Sequence, residues 1–147
     1  MKILSLAVAA ALVAAPAISE IIKVPATGDV GATMDALEAA VDQAGATVFA
    51  RVDHAGGAQS AGLELAASQL LVFGNPKLGT PAMQDDPRAG LLLPLRVLVY
   101  EDGEGKVWLA YERPEDMLGA LDIAPDAPYL GMMSGALAKL TAAAAGS

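Results

Sequence analysis

Residues 95–112 constrain this chain more than any other segment. Residues 95–101 (LRVLVYE) and 106–112 (KVWLAYE) both have strand composition, and the intervening Asp102-Gly103-Glu104-Gly105 supplies the glycines that a tight turn with positive φ demands. An antiparallel hairpin is therefore expected. Two strands alone are marginal in water, so the rest of the chain has to supply partners for them.

Those partners are legible as alternating short strands and helices. Residues 20–25 (EIIKVP) form a strand stopped by Pro25, and a helix is expected over 28–44, where Val30, Met34, Leu37 and Val41 recur at steps of three and four before Gly45. Residues 47–52 (TVFARV) predict a second strand. Asp53 is then placed to cap a short helix over 54–61 that stops at Gly62. Residues 69–73 (QLLVF) read as a strand inside the sheet, running directly into Gly74-Asn75-Pro76. Pro114 sits at the favoured first position of another helix, and a last one is expected over 129–140 with Tyr129, Met133, Leu137 and Leu140 on one face. The alanine-rich residues 141–147 are expected to fray. There is no internal repeat and no long linker. The order of elements predicts one α+β domain over 20–140, a mostly antiparallel sheet with helices packed on one face.

The first residues have a different character. Lys2, an apolar run at 3–15 broken only by Ser5, and the small residues of Ala15-Pro16-Ala17-Ile18-Ser19 resemble a cleavable secretory signal over residues 1–19. That implies a periplasmic or secreted protein, with no membrane association after cleavage, since the run is too short to span a bilayer. With 147 residues and 54% hydrophobic residues, the remainder is long enough to bury a core, but only 4% are aromatic, so that core is expected to be aliphatic. Loss of the leader removes only Lys2 and takes the net charge from −8 to −9. The nine basic residues are scattered, which argues against a nucleic-acid partner. The chain has no cysteine, which excludes disulfides, thiolate metal ligands and thiol catalysis.

A family resemblance is carried by Val52-Asp53-His54, by Gly62-Leu63-Glu64-Leu65, and above all by Phe73-Gly74-Asn75-Pro76-Lys77-Leu78-Gly79-Thr80. The strand Leu93-Pro94-Leu95-Arg96-Val97-Leu98-Val99-Tyr100-Glu101-Asp102 and Val107-Trp108-Leu109-Ala110-Tyr111 complete it. Together these are similar to the bacterial and archaeal family called domain of unknown function 302, over residues 20–123. The resemblance implies a single α+β domain and no agreed activity. Many members of that family carry a histidine near the end of the helix after the second hairpin strand. This chain reads Leu118-Gly119-Ala120-Leu121-Asp122 there, so a site built on that histidine is absent or altered.

Three groups of residues are candidates for function. Asn75, Lys77 and Thr80 are the candidate ligand-binding residues: Asn75 caps a helix starting at Pro76, so free N–H groups, the helix dipole and Lys77 would suit a small anionic ligand. The plainer alternative is that the same residues end a strand and start a helix, with Lys77 solvated. His54, the sole histidine, and Asp53 are the candidate catalytic residues, against a capping or packing role. Met132, Met133, Met83 and Met117 are soft potential copper(I) ligands, against packing. One histidine and no cysteine speak against ordinary zinc sites, so neither a metal nor a cofactor is expected. The Asp85-Asp86 and Glu115-Asp116 pairs read as surface acids, and no Gly-x-Ser-x-Gly elbow is present. Gly131 and Gly135, one helical turn apart, would admit a close backbone approach within the domain or across a homodimer. The leading expectation is an exported ligand-binding or protein-interaction module. Its rivals are a periplasmic enzyme or a metal- or haem-dependent redox accessory using His54, and a purely structural homodimer.

Overall fold

The computed structural model describes residues 19–146, so the expected leader lies outside the described residues except for Ser19. The strands are β1 Ile21–Ala26, β2 Thr47–Asp53, β3 Ser68–Gly74, β4 Leu95–Glu101 and β5 Val107–Glu112. The helices are α1 Val30–Gln43, α2 His54–Ser60, α3 Pro76–Asp85, α4 Pro114–Met117 and α5 Pro128–Ala144, with a 3-10 turn at Pro87–Leu91. The strands form one antiparallel sheet in the order β1-β5-β4-β3-β2. The first and last strands are thus neighbours, and β4 lies in the middle.

The hairpin forms where the loop glycines place it. Gly105 has φ 76°, and the Asp102 carboxylate accepts the N–H groups of Glu104 at 2.9 Å and Lys106 at 3.0 Å. Its other oxygen accepts the Trp108 indole N–H at 2.8 Å. The Lys106 N–H and the indole together hold the Asp102 carboxyl below its usual range.

Strand alternation sorts the sheet into two unlike faces. Leu71 and Phe73 of β3, Val97 and Val99 of β4, and Leu109 of β5 are buried beneath the helices. There α1 presents Val30, Met34, Leu37 and Val41, the period read from the sequence, and α5 lies beside it. Asp29 caps α1 by accepting the Ala32 N–H at 2.8 Å, and Gly45 leaves it with φ 71°. The opposite face carries Leu70, Val72, Leu98, Tyr100 and Trp108, which are only half-buried and do not join the core.

Two details differ from the sequence expectation. The C-terminal segment does not fray: α5 continues through Ala144, Thr141 is fully buried, and Ala144 and Ala145 pack in the core. The Ala145 carbonyl accepts the Thr27 N–H at 3.1 Å, so β1's end anchors a segment whose small side chains alone suggested disorder. The second difference is at Asp85-Asp86, where Asp85 is exposed but Asp86 is buried.

Candidate functional site

The site grows from the junction of β3 and α3. Gly74 ends the strand, and Asn75 caps the helix with its side-chain oxygen accepting the Lys77 N–H at 2.9 Å, while Pro76 fills the first helical position. The C-terminal end of α3 is tied down twice. Tyr129 of α5 donates its hydroxyl to Asp85 Oδ2 at 2.7 Å; burial first and this carboxylate second push the phenol up to about 12. Asp86 accepts from Arg88 through its N–H at 2.9 Å, Nε at 3.0 Å and Nη2 at 2.7 Å, and from the Asp122 N–H at 3.0 Å. The guanidinium, followed by the two backbone N–H groups, holds the Asp86 carboxyl far below the usual carboxylate range.

Held in this way, α3 and the 3-10 turn stand off the end of the sheet and leave a solvent-open cavity of about 360 Å³. Its walls are the side chains of Phe49, Leu78, Met83, Leu93, Pro94 and Met133. Phe49 is available because β2 shifts register between Val48 and Ala50, leaving the ring outside the regular ladder and 58% exposed. Two glycines keep the space open. A Cβ on Gly79 would stand 3.8 Å from both Leu93 Cδ1 and Met83 Cε, and one on Gly74 would stand 3.4 Å from Pro94 Cβ and 3.5 Å from Phe49 Cε2.

Of the expected ligand-binding residues, Asn75 and Thr80 line this cavity, but Lys77 does not: it is exposed. Lys77 sits at the second position of α3, outside the cavity lining. Phe49, Leu93 and Pro94 were not singled out by sequence reasoning, because nothing local connects an edge-strand ring to a loop more than forty residues away. Met83 and Met133, considered as metal ligands, are here cavity walls, and Met132 is 57% exposed.

The expected catalytic pair is arranged as a cap. Asp53 accepts the Gly56 N–H at 2.9 Å to start α2, and His54 is exposed at the first position of that helix, away from the cavity. Among the described residues, no three His, Asp or Glu side chains are grouped to hold a metal ion. A more polar depression of about 470 Å³ lies between β5 and α4. There Ser134 donates to Glu115 at 2.7 Å, and Arg113 pairs with Glu20 and Asp116. Gly131 and Gly135 face open space rather than another element.

An antiparallel sheet backed on one side by two helices, with an apolar cavity at one end, defines a single-domain α+β protein. The family profile described as "Domain of unknown function DUF302" matches residues 22–145, and the chain belongs to that family. The fold is similar to the crystal structure of an uncharacterized conserved protein DUF302 from Bacillus stearothermophilus. The TM-score is 0.68 at 21% identity, over 85% of this chain and 94% of that one.

Among curated proteins, the chain is 45% identical over 96 residues to the "Fluoride-specific ion channel FluC 1" of Brucella suis biovar 1 (strain 1330), covering 65% of this chain and 38% of that protein. The "Fluoride-specific ion channel FluC 2" of Brucella melitensis biotype 1 is also 45% identical over 96 residues, with 36% of its length covered. The chain thus spans well under half the length of these relatives. Among the described residues, no helix is long and apolar enough to cross a membrane.

Proposed function

We propose that this chain is an exported binding module whose cavity takes a small apolar molecule. The observation that carries this reading is the lining. A cavity of about 360 Å³ falls within the size range of small-molecule sites, and its walls are aliphatic, aromatic and thioether side chains with polar groups only at Asn75 and Thr80. Such a surface favours an alkyl or aromatic body with one polar end over an inorganic anion, which would lose its hydration without gaining a cation. Export rests on the leader-like residues 1–19.

A thermal-shift titration with medium-chain alkyl carboxylates and alcohols tests the cavity, with inorganic phosphate as the contrast. A ligand at about a hundred times its dissociation constant adds about 2.7 kcal/mol of stability. An upward shift with the alkyl compounds and none with phosphate supports the reading. No shift with any alkyl compound refutes it. N-terminal sequencing of the protein recovered outside the cytoplasm tests export, with a start after Ala17 or Ser19 expected.

The curated relatives favour a second reading, a module that associates with a membrane transport protein, because segments 45% identical to this one occur within longer proteins named as ion channels. Co-purification with a fluoride channel from the same cells supports it, and a clean separation under gentle detergent conditions counts against it.

A further inference from the structure

We propose that two copies of this chain pack through the uncovered face of the sheet, each placing Leu98 near the two-fold axis. One row of paired residues crosses that face from edge to edge: Lys23, Ala110, Leu98, Leu70 and Val52. Leu98 is the middle residue of β4, which is itself the middle strand, so it marks the centre of the surface. Leu70, Val72 and Leu98 are half-buried and Val52 is 40% exposed, although their neighbours Leu71, Val97 and Val99 are fully buried on the other face. An apolar face of this extent without covering helices is unusual for a sheet that remains alone in water.

Charge and area both favour a second copy as the occupant. The whole chain carries −8, which makes copies repel one another, yet the strand residues on this face contribute two cations, Lys23 and Arg96, against one anion, Glu112. Arg96 and Glu112 lie on adjacent strands 3.2 Å apart, and such a pair is self-complementary across a two-fold axis. The strand residues of this face therefore add none of the chain's acidic excess to the contact. Five strands about 4.8 Å apart and roughly 20 Å long present about 500 Å² of projected area, so two faces cover about 1,000 Å² before side-chain relief is added. That reaches the lower limit of a specific interface and implies a concentration-dependent dimer rather than a permanent one. The cavity draws Phe49, Gly74 and Leu95 from β2, β3 and β4, but none of the row from Lys23 to Val52 lines it, so this inference does not rest on ligand binding.

Sedimentation velocity of the purified protein from micromolar to millimolar concentration tests it. A rise from monomer to dimer is expected, and Leu98→Arg should weaken association at least tenfold while leaving the far-ultraviolet circular dichroism unchanged. Because that variant can misfold, the absence of native cysteine offers a second measurement. Mild oxidation of Leu98→Cys should give a disulfide-linked dimer, and Gly135→Cys on α5 should not. A protein that stays monomeric at every concentration overturns the proposal. So does a dimer that persists in folded Leu98→Arg, or one that cross-links through Gly135→Cys instead of Leu98→Cys.

Discussion

Replacing Gly79 with leucine should strengthen the fold and abolish ligand binding in a single step. Gly79 lies within α3, its φ is not in the left-handed region, and its missing Cβ would meet Leu93 and Met83 only at 3.8 Å, an ordinary contact distance. Glycine inside a helix costs close to 1 kcal/mol against a good helix former, and seating part of the leucine side chain in the cavity adds about another 1 kcal/mol. Together these give about 2 kcal/mol, which for a domain of this length raises Tm by roughly 7 °C. The same side chain occupies the space between Leu93 and Met83, so the shift produced by an alkyl carboxylate should vanish. Differential scanning calorimetry with and without the carboxylate measures both effects, and Gly79→Ala provides an intermediate, with about half the stability gain and weakened binding. A lower Tm would mean that the space at Gly79 is not there. An unchanged carboxylate shift in folded Gly79→Leu would place the ligand elsewhere.

Three further outcomes follow from the contacts around the cavity and the C-terminus. Asp86→Asn should destabilise the protein at neutral pH; because the native carboxyl is held below its usual range, its contribution is present above about pH 4 and fades on further acidification, so wild type and variant should converge in acid melts. Tyr129→Phe should cost about 1 kcal/mol in chemical denaturation for the lost hydrogen bond. Since the phenol is raised to about 12, wild type should lose stability as pH climbs from the ordinary tyrosine value toward it, while Tyr129→Phe should not show that loss. Truncation after Leu140 should lower stability by about 3 kcal/mol, from the buried methyls of Ala144 and Ala145 and the hydrogen bond to Thr27, whereas a frayed tail would leave Tm unchanged.

What the sequence revealed and what it concealed divide along the range of the interactions involved. The hairpin, the caps at Asp53 and Asn75 and the buried face of α1 depend on residues a few positions apart, and local patterning exposes them directly. The order of the tail is not legible locally, because Ala144 and Ala145 look like filler until Thr27, more than a hundred residues away, supplies a partner. Asp86 looked like one of two solvated acids, yet its burial is made tolerable by the Arg88 guanidinium beside it and by the Asp122 N–H from a distant loop. The Asn75 cap is visible in the sequence, but the apolar surroundings of its cavity are not. A helix N-terminus with Lys77 implies an anion, and only the arrival of Phe49, Leu93 and Met133 from three other elements turns the neighbourhood apolar.

The adjacency of β1 and β5 has a consequence for how such a chain matures. Ile21 lies opposite Glu112, so a polypeptide that emerges amino end first has to hold β1 in waiting until β5, about ninety residues later, has appeared. During that interval β1 is an orphan ribbon, open to pairing with any passing neighbour. Lys23 and Pro25 sit on that ribbon, one discouraging approach by its charge and the other lacking a donor, and so keep the vacancy beside β5 for its rightful tenant.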